Sequence, residues 1–281
     1  MLKQRVITAI VLTIVFLAAL FGLSPAHFPL FIGAVVLIGA WEWANLSSCG
    51  AIWQRLLYVG FIGAILLAIC WAIGMSTAAE QGLNLPFIKS LLIVACAWWA
   101  LALLLVQGYP SSAILWGHPF ARLLMGVLVL VPTWLALVYV RFQPQGAWLV
   151  VMIAAIVAAA DTGGYFTGRK LGKRKLAQAV SPGKTLEGFA GGLVSNLILV
   201  AVVAYLSGSN LYLLLAIVIP TSLFSVLGDL LESMVKRHAG VKDSGVILPG
   251  HGGILDRVDS ITAAAPVFAL ALIASGWTLG T

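Results

Sequence analysis

Residues 123–140 read LLMGVLVLVPTWLALVYV, 18 positions without a charged side chain. At 1.5 Å per residue this is about 27 Å of helix, close to the ~30 Å hydrocarbon core of a bilayer. Eight comparable blocks flank it, giving predicted spans at 6–23, 28–46, 56–73, 91–106, 123–140, 147–160, 189–206, 211–227 and 261–277. None alternates apolar and polar residues as the strands of a transmembrane barrel would. Across all 281 residues, 62% are hydrophobic and 9% charged, against roughly 45–50% and 25% in soluble domains. A water-soluble globule is excluded, and the fold class is an all-α polytopic integral membrane protein with about nine transmembrane helices. The first block is read as a retained anchor, because no small-residue cleavage site follows it and a second span comes almost at once. Cys49, Cys70 and Cys96 lack metal-ligand spacing and are read as packing residues.

Cations fix the expected orientation, since cytoplasmic loops carry the Lys and Arg excess. With a cytoplasmic N-terminus, 14 of the 16 Lys and Arg fall on the inner side, and only Lys89 and Arg141 on the other. Two inner loops, 161–188 and 228–260, hold seven of the nine acids, so the chemistry is expected there. The chain divides into 1–122, helices with little chemistry, and 123–281, helices whose two loops form the site. Charge gathered at one membrane face suggests membrane lipids as neighbours and no nucleic-acid partner.

The sixth block has only 14 residues, about 21 Å of helix, so Asp161 is expected at membrane depth beside a cation. Beyond it lie Tyr165 and the basic run 168–175, which on its own reads as a lipid-headgroup anchor. Ser181-Pro182 reads as a helix N-cap and first turn, with free amides suited to phosphate and Lys184 close by. Gly183-Lys184-Thr185 does not read as a P-loop, because Gln178 stands where that pattern needs Gly, and the pattern also needs a preceding strand. If the eighth helix continues past 227, Asp229, Glu232, Ser233 and Lys236 share one face. Then come five glycines within residues 240–253, which let backbone approach a ligand, and Asp256 and Asp259 one helical turn apart. Oxygen ligands without a His and Cys cluster favour a hard cation such as Mg²⁺ over Zn²⁺. Mixed Lys, Arg and Asp beside Gly-rich turns suit phosphoryl or nucleotidyl transfer. His251 alone reads as a turn residue as readily as a catalyst.

The 27-residue stretch 233–259, S-x-V-K-R-x-x-x-x-K-D-x-G-x-x-L-P-x-H-G-G-I-x-D-R-V-D, matches the signature of the phosphatidate cytidylyltransferases, or CDP-diacylglycerol synthases, without departure. Residues 161–165 and 181–185 resemble that family's upstream segments, although Gly164 stands where Ala is usual. The resemblance implies CTP and phosphatidate as substrates and a homodimer that uses Mg²⁺, with a monovalent cation such as K⁺ as second ion. It implies Asp229 and Asp256 as metal ligands, with Ser181, Lys184, Lys236, Arg237 and Lys242 around the phosphates. Adding the residues beside them, the candidate catalytic set is Lys184, Lys236, Arg237, Lys242, Asp243, His251 and Arg257. Ser181, Thr185, Tyr165, Gly252 and Gly253 are candidate substrate contacts, and Asp161 and Asp259 join Asp229 and Asp256 about the metal. A transporter or channel is the alternative from another class, disfavoured by one-sided charge and the lack of an inverted repeat; a cytidylyltransferase for another lipid phosphate is the nearer one.

Glu42, between Trp41 and Trp43, is the one acid inside the first five predicted spans. It is expected to be a structural acid hydrogen-bonded to a neighbouring helix, tolerant of Glu42→Gln, because the signature already supplies enough metal ligands. The multi-pass topology itself is testable: single cysteines placed in 161–188 and 228–260 are expected to label from the cytoplasmic face, the inner one in a bacterial cell. Labelling of the two loops from opposite faces would break the model of one shared site.

Overall fold

The computed structural model describes residues 2–78 and 82–277; the side chains of residues 2–5, Lys3 and Arg5 among them, lie outside the described residues. Its long helices are α1 (Leu2–Gly22), α2 (Phe28–Leu46), α3 (Ile52–Ala72), α4 (Leu85–Gln107), α5 (Pro119–Phe142), α6 (Gly146–Leu171), α7 (Leu186–Ser207), α8 (Leu211–His238) and α9 (Leu255–Ser275). Each predicted span falls on one of them. Helices α2 to α9 are long and apolar enough to cross a membrane, and in α1 the apolar part is Val6–Gly22.

Helix starts explain where hydropathy alone misplaced the bounds. Helix α4 begins at Leu85, upstream of the predicted 91, because Asn84 accepts the Phe87 N–H and Pro86 occupies the first turn. Helix α5 begins at Pro119, where the His118 side chain accepts the Phe120 N–H. Trp43, Trp99 and Trp134 are among the largest fully buried side chains. Two of them find acceptors across helices: Trp43 Nε1 donates to the Arg122 carbonyl at 2.7 Å and Trp134 Nε1 to the Pro29 carbonyl at 3.0 Å. These bonds tie α2 to α5 in surroundings where water cannot serve as partner.

Two corrections concern the loops. Ser181-Pro182 does not start a helix: Ser181–Thr185 is strand β2, antiparallel to β1 (Lys175–Ala177), with Lys175 opposite Thr185 and Ala177 opposite Ser181. Thr185 is the N-cap of α7, its Oγ1 accepting the Gly188 N–H at 3.1 Å. The later cap prevails because Glu187 accepts the backbone amides of Lys173 and Arg174, at 2.9 and 3.1 Å, and folds the hairpin back onto the helix start. The loops are also shorter than read. Helix α6 continues through 161–171 and α8 through 228–238, leaving 172–185, which carries the hairpin, and 239–254.

Helices α6 and α7 meet through glycines, as membrane helices do where backbones approach closely. A Cβ on Gly192 would lie 2.7 Å from the Ala160 carbonyl oxygen. Gly192→Ala is therefore expected to destabilise the protein despite about 1 kcal/mol of gained helix propensity, since overpacking against backbone costs typically 1–3 kcal/mol. Unfolding in mixed micelles checks this; equal or greater stability would contradict the contact.

Candidate active site

Helices α6, α7 and α8 and strand β2 line a cleft of about 350 Å³, with Asp161, Tyr165, Arg169 and Lys184 among its polar residues and Phe189, Leu193 and Val226 among its apolar ones. Lys184, on β2, places its Nζ 2.5 Å from Asp229 Oδ2 on α8, and both side chains are about a quarter exposed (26% and 25%). Asp229 Oδ1 accepts from Ser233 Oγ at 3.1 Å, one helical turn on.

Continuation of α8 to His238 aligns the polar stripe expected from the sequence. Lys236 Nζ donates to Glu232 Oε1 at 3.1 Å and to Asp256 Oδ1, on α9, at 2.6 Å. All three side chains are buried, so each charge depends on its partner. Asp256 Oδ2 accepts from Ser244 N (2.8 Å), Ser244 Oγ (3.0 Å) and Gly253 N (2.8 Å). Asp161 lies within electrostatic reach of Lys184 and Asp229, and Asp259 within reach of Asp229, Lys236 and Lys184. Five carboxylates, counting Glu232, thus surround two ammonium groups. Among the described residues no three His, Cys, Asp or Glu converge into a ready-made metal site.

Other predicted residues lie nearby in different roles. Lys242, Asp243, His251, Gly252 and Arg257 line a second pocket, of about 560 Å³, in the 239–254 loop and the first turn of α9. There Gly252 takes φ +80°, a conformation that favours glycine. His251 Nδ1 is buried without a partner among the described residues. Arg237 Nε points to the Val180 carbonyl at 3.4 Å, holding the β1–β2 turn against α8. Tyr165 accepts from Arg169 at 3.1 Å, Ser181 is half-buried on β2, and Thr185 is buried with its hydroxyl used as the cap.

Sequence reasoning missed Ser244. It gives Asp256 both its amide and its hydroxyl, but nothing local marks it, because its partner lies twelve residues on. Glu42 was marked, as the one acid in the early spans, and it is hydrogen-bonded to a neighbouring helix as expected. Its Oε1 accepts from Ile254 N at 3.0 Å and its Oε2 from Leu255 N at 2.9 Å, while the single hydroxyl proton of Ser244, 3.0 Å from Oε2, is shared between Glu42 and Asp256.

A transmembrane helical bundle with lysine-paired carboxylates, an amphipathic cleft and a basic loop pocket has the parts of an enzyme acting on phosphates at a membrane. The chain belongs to the cytidylyltransferase family, whose model matches residues 3–274. It is 44% identical to the phosphatidate cytidylyltransferase of Pseudomonas aeruginosa, over 99% of both chains, and 42% identical to that of Haemophilus influenzae, over 95% of this chain and 97% of the relative. The phosphatidate cytidylyltransferase of Staphylococcus saprophyticus is 49% identical over a shorter region, 47% of this chain and 51% of its own.

Removing Lys236 would leave Glu232 and Asp256 facing each other without a cation. Lys236→Met is expected to cost about 3–5 kcal/mol of stability, the range for breaking a buried pair by deleting one partner. Unfolding of purified protein measures it, and a loss below 1 kcal/mol would mean that the two acids are not held charged by Lys236.

Proposed function

We propose that the protein is a CTP:phosphatidate cytidylyltransferase, transferring CMP from CTP to phosphatidate to give CDP-diacylglycerol and pyrophosphate. The observation that carries this reading is the pairing of Lys184 with Asp229 and of Lys236 with Asp256 in a bundle that also holds a cleft with polar and apolar lining and a loop pocket with cationic lining. An amphiphile with an anionic head suits the cleft, where Lys184 and Arg169 meet Leu193 and Val226. A nucleoside triphosphate suits the loop pocket, where Lys242 and Arg257 supply charge.

In the reaction an oxygen of the lipid phosphate attacks the α-phosphorus of CTP, a new P–O bond forms, and the α–β bridging bond breaks with its electrons leaving on pyrophosphate. The attacking oxygen is already anionic, so no general base is needed. The barrier is repulsion between two phosphates, and the protein's task is positioning and charge neutralisation. Lys184 holds the lipid phosphate at the cleft, while Lys236 keeps Asp256 oriented. Asp161, Tyr165, Ser181 and Asp243 shape the approach of the two substrates.

The donor set fits Mg²⁺. Five acidic side chains stand against two lysines, and all the donors are hard oxygens. Asp229 has one donor on each oxygen, and a carboxylate has about four acceptor positions, so Asp229 has two free. Asp256 has one free on Oδ1, beside Lys236. Asp229 and Asp256 would hold the ion, with Asp161 and Asp259 adding charge around it and K⁺ as a second ion. Bound there, Mg²⁺ would neutralise charge on the phosphates as it passes to pyrophosphate. The reading extends to a homodimer in the cell inner membrane of a bacterium, N-terminus inside, the site facing cytoplasmic CTP.

Purified protein with labelled CTP and phosphatidate is expected to release pyrophosphate; release only with another lipid phosphate would redirect the substrate assignment. Asp229→Asn keeps the volume but halves the ligand's capacity, so turnover is expected to fall at least about 100-fold with little change in Tm. Near-normal activity at ordinary Mg²⁺ would remove Asp229 from the metal site, and partial recovery in raised Mg²⁺ or Mn²⁺ would support it.

A further inference from the structure

Helix α9 begins without a cap from its own sequence. Ile254, at the N-cap position, offers no side-chain acceptor, yet the first amides of any helix need one. Here the acceptor comes from α2, more than 200 residues earlier. Glu42, 2% exposed, receives the amides of Ile254 and Leu255 on separate oxygens. A carboxylate is well suited to this place, because it meets the positive end of the helix dipole as well as the two N–H groups.

The loop is built to admit that carboxylate. A Cβ on Gly245 would fall 2.6 Å from Glu42 Oε1, and one on Gly253 would fall 2.5 Å from Oε2. At these positions the Gly-rich stretch therefore accommodates a side chain of the protein itself. Ser244 then joins two acids: its hydroxyl lies 3.0 Å from Glu42 Oε2 and 3.0 Å from Asp256 Oδ2, and its amide donates to Asp256. Every side-chain hydrogen bond that Glu42 makes among the described residues is thus to Ser244 or to the two residues immediately before Asp256.

We infer that Glu42 is a positioning residue for the transfer reaction: by fixing Ile254, Leu255 and Ser244 it sets the angle at which Asp256 faces Lys236 and the substrates. The inference rests on the cytidylyltransferase reading for its effect on turnover, though not for its effect on the loop. The structural acid expected from the sequence thereby acquires a role in turnover, and Glu42→Gln is expected to be costly. A carboxamide has one acceptor oxygen, and its NH₂ only donates. Either orientation loses part of the three-bond set and turns a donor toward a donor.

The test combines kinetics with hydrogen exchange on purified protein in lipid nanodiscs. Glu42→Gln is expected to lower kcat about 10–100-fold, the scale of a displacement of roughly 1 Å at a reacting centre. KM for CTP and for phosphatidate should stay within about threefold, since uniform binding is untouched. Exchange should rise in peptides covering 244–256 while peptides of α5, α6 and α7 keep their protection. Ser244→Ala combined with Glu42→Gln should cost less than the product of the single effects, because both act through one contact. A kcat within twofold of wild type would overturn the inference. So would a large rise in KM with kcat retained, which would make Glu42 a substrate contact, or exchange rising through all helices together, which would make it a general fold residue. If Glu42→Gln cannot be purified, Ser244→Ala is read by the same measurements: raised exchange at 244–256 with lowered kcat supports the inference, and neither change overturns it. Wild-type protein inactive with CTP and phosphatidate would sink the substrate reading alone, and the exchange comparison would still decide the role of Glu42.

Discussion

The Lys236 ammonium, held between Glu232 on its own helix and Asp256 on the next, is the interaction on which the rest of the site depends. Three ionisable groups are buried where water supplies little screening, and a charge left alone in such surroundings is costly. Helices α8 and α9 must therefore approach closely enough for a 2.6 Å contact between them. Gly228 allows this, since any Cβ there would run into the Asp259 carbonyl. The 239–254 loop must then turn back within a short span, which its glycines permit.

The acids are arranged unequally around this lysine. Asp256 is engaged on both oxygens by Lys236, Ser244 and Gly253, so it is rigid, and it borders the loop pocket through Gly252. Asp229 has a looser setting, with a partly exposed lysine on one oxygen and Ser233 on the other. A fixed carboxylate and an accessible one suit a site that holds one substrate in register while another phosphate arrives. The difference follows from the fold: Asp256 stands at the start of a helix, inside a ring of donors, and Asp229 within one, beside a two-stranded hairpin that carries its cation.

Nearly all of the fold was legible in the sequence, because apolar length is a direct consequence of bilayer thickness and each block of 14 to 19 residues became a helix. The α8 stripe was legible for a similar reason: positions 229, 232, 233 and 236 share a face once the helix continues. The hairpin was not. Ser181-Pro182 carries a genuine helix-start signal, and what overrides it is Glu187 gathering the amides of 173 and 174, contacts across more than ten residues. Ser244 and the seating of Glu42 against α9 were hidden in the same way. Local pattern reports propensity and periodicity, while these depend on which distant backbone amide lacks an acceptor.

Gly253, Ile254 and Leu255 all donate to protein carboxylates at the start of α9. The one helix start beside the signature glycines is thus already neutralised by Glu42 and Asp256. An incoming phosphate there would meet two acids. The start of α7 is taken in the same manner, with Thr185 on the Gly188 amide. At both places some of the amides that a phosphate-binding helix start would offer are thus engaged within the protein. On the proposed reading, recognition of phosphate draws on the side-chain cations that line the two pockets, Lys184 and Arg169 at the cleft and Lys242 and Arg257 at the loop pocket. On that reading the phosphates meet mobile side-chain cations, ammonium and guanidinium alike, and the geometry of the site comes from the carboxylates that the lysines and the loop keep in place.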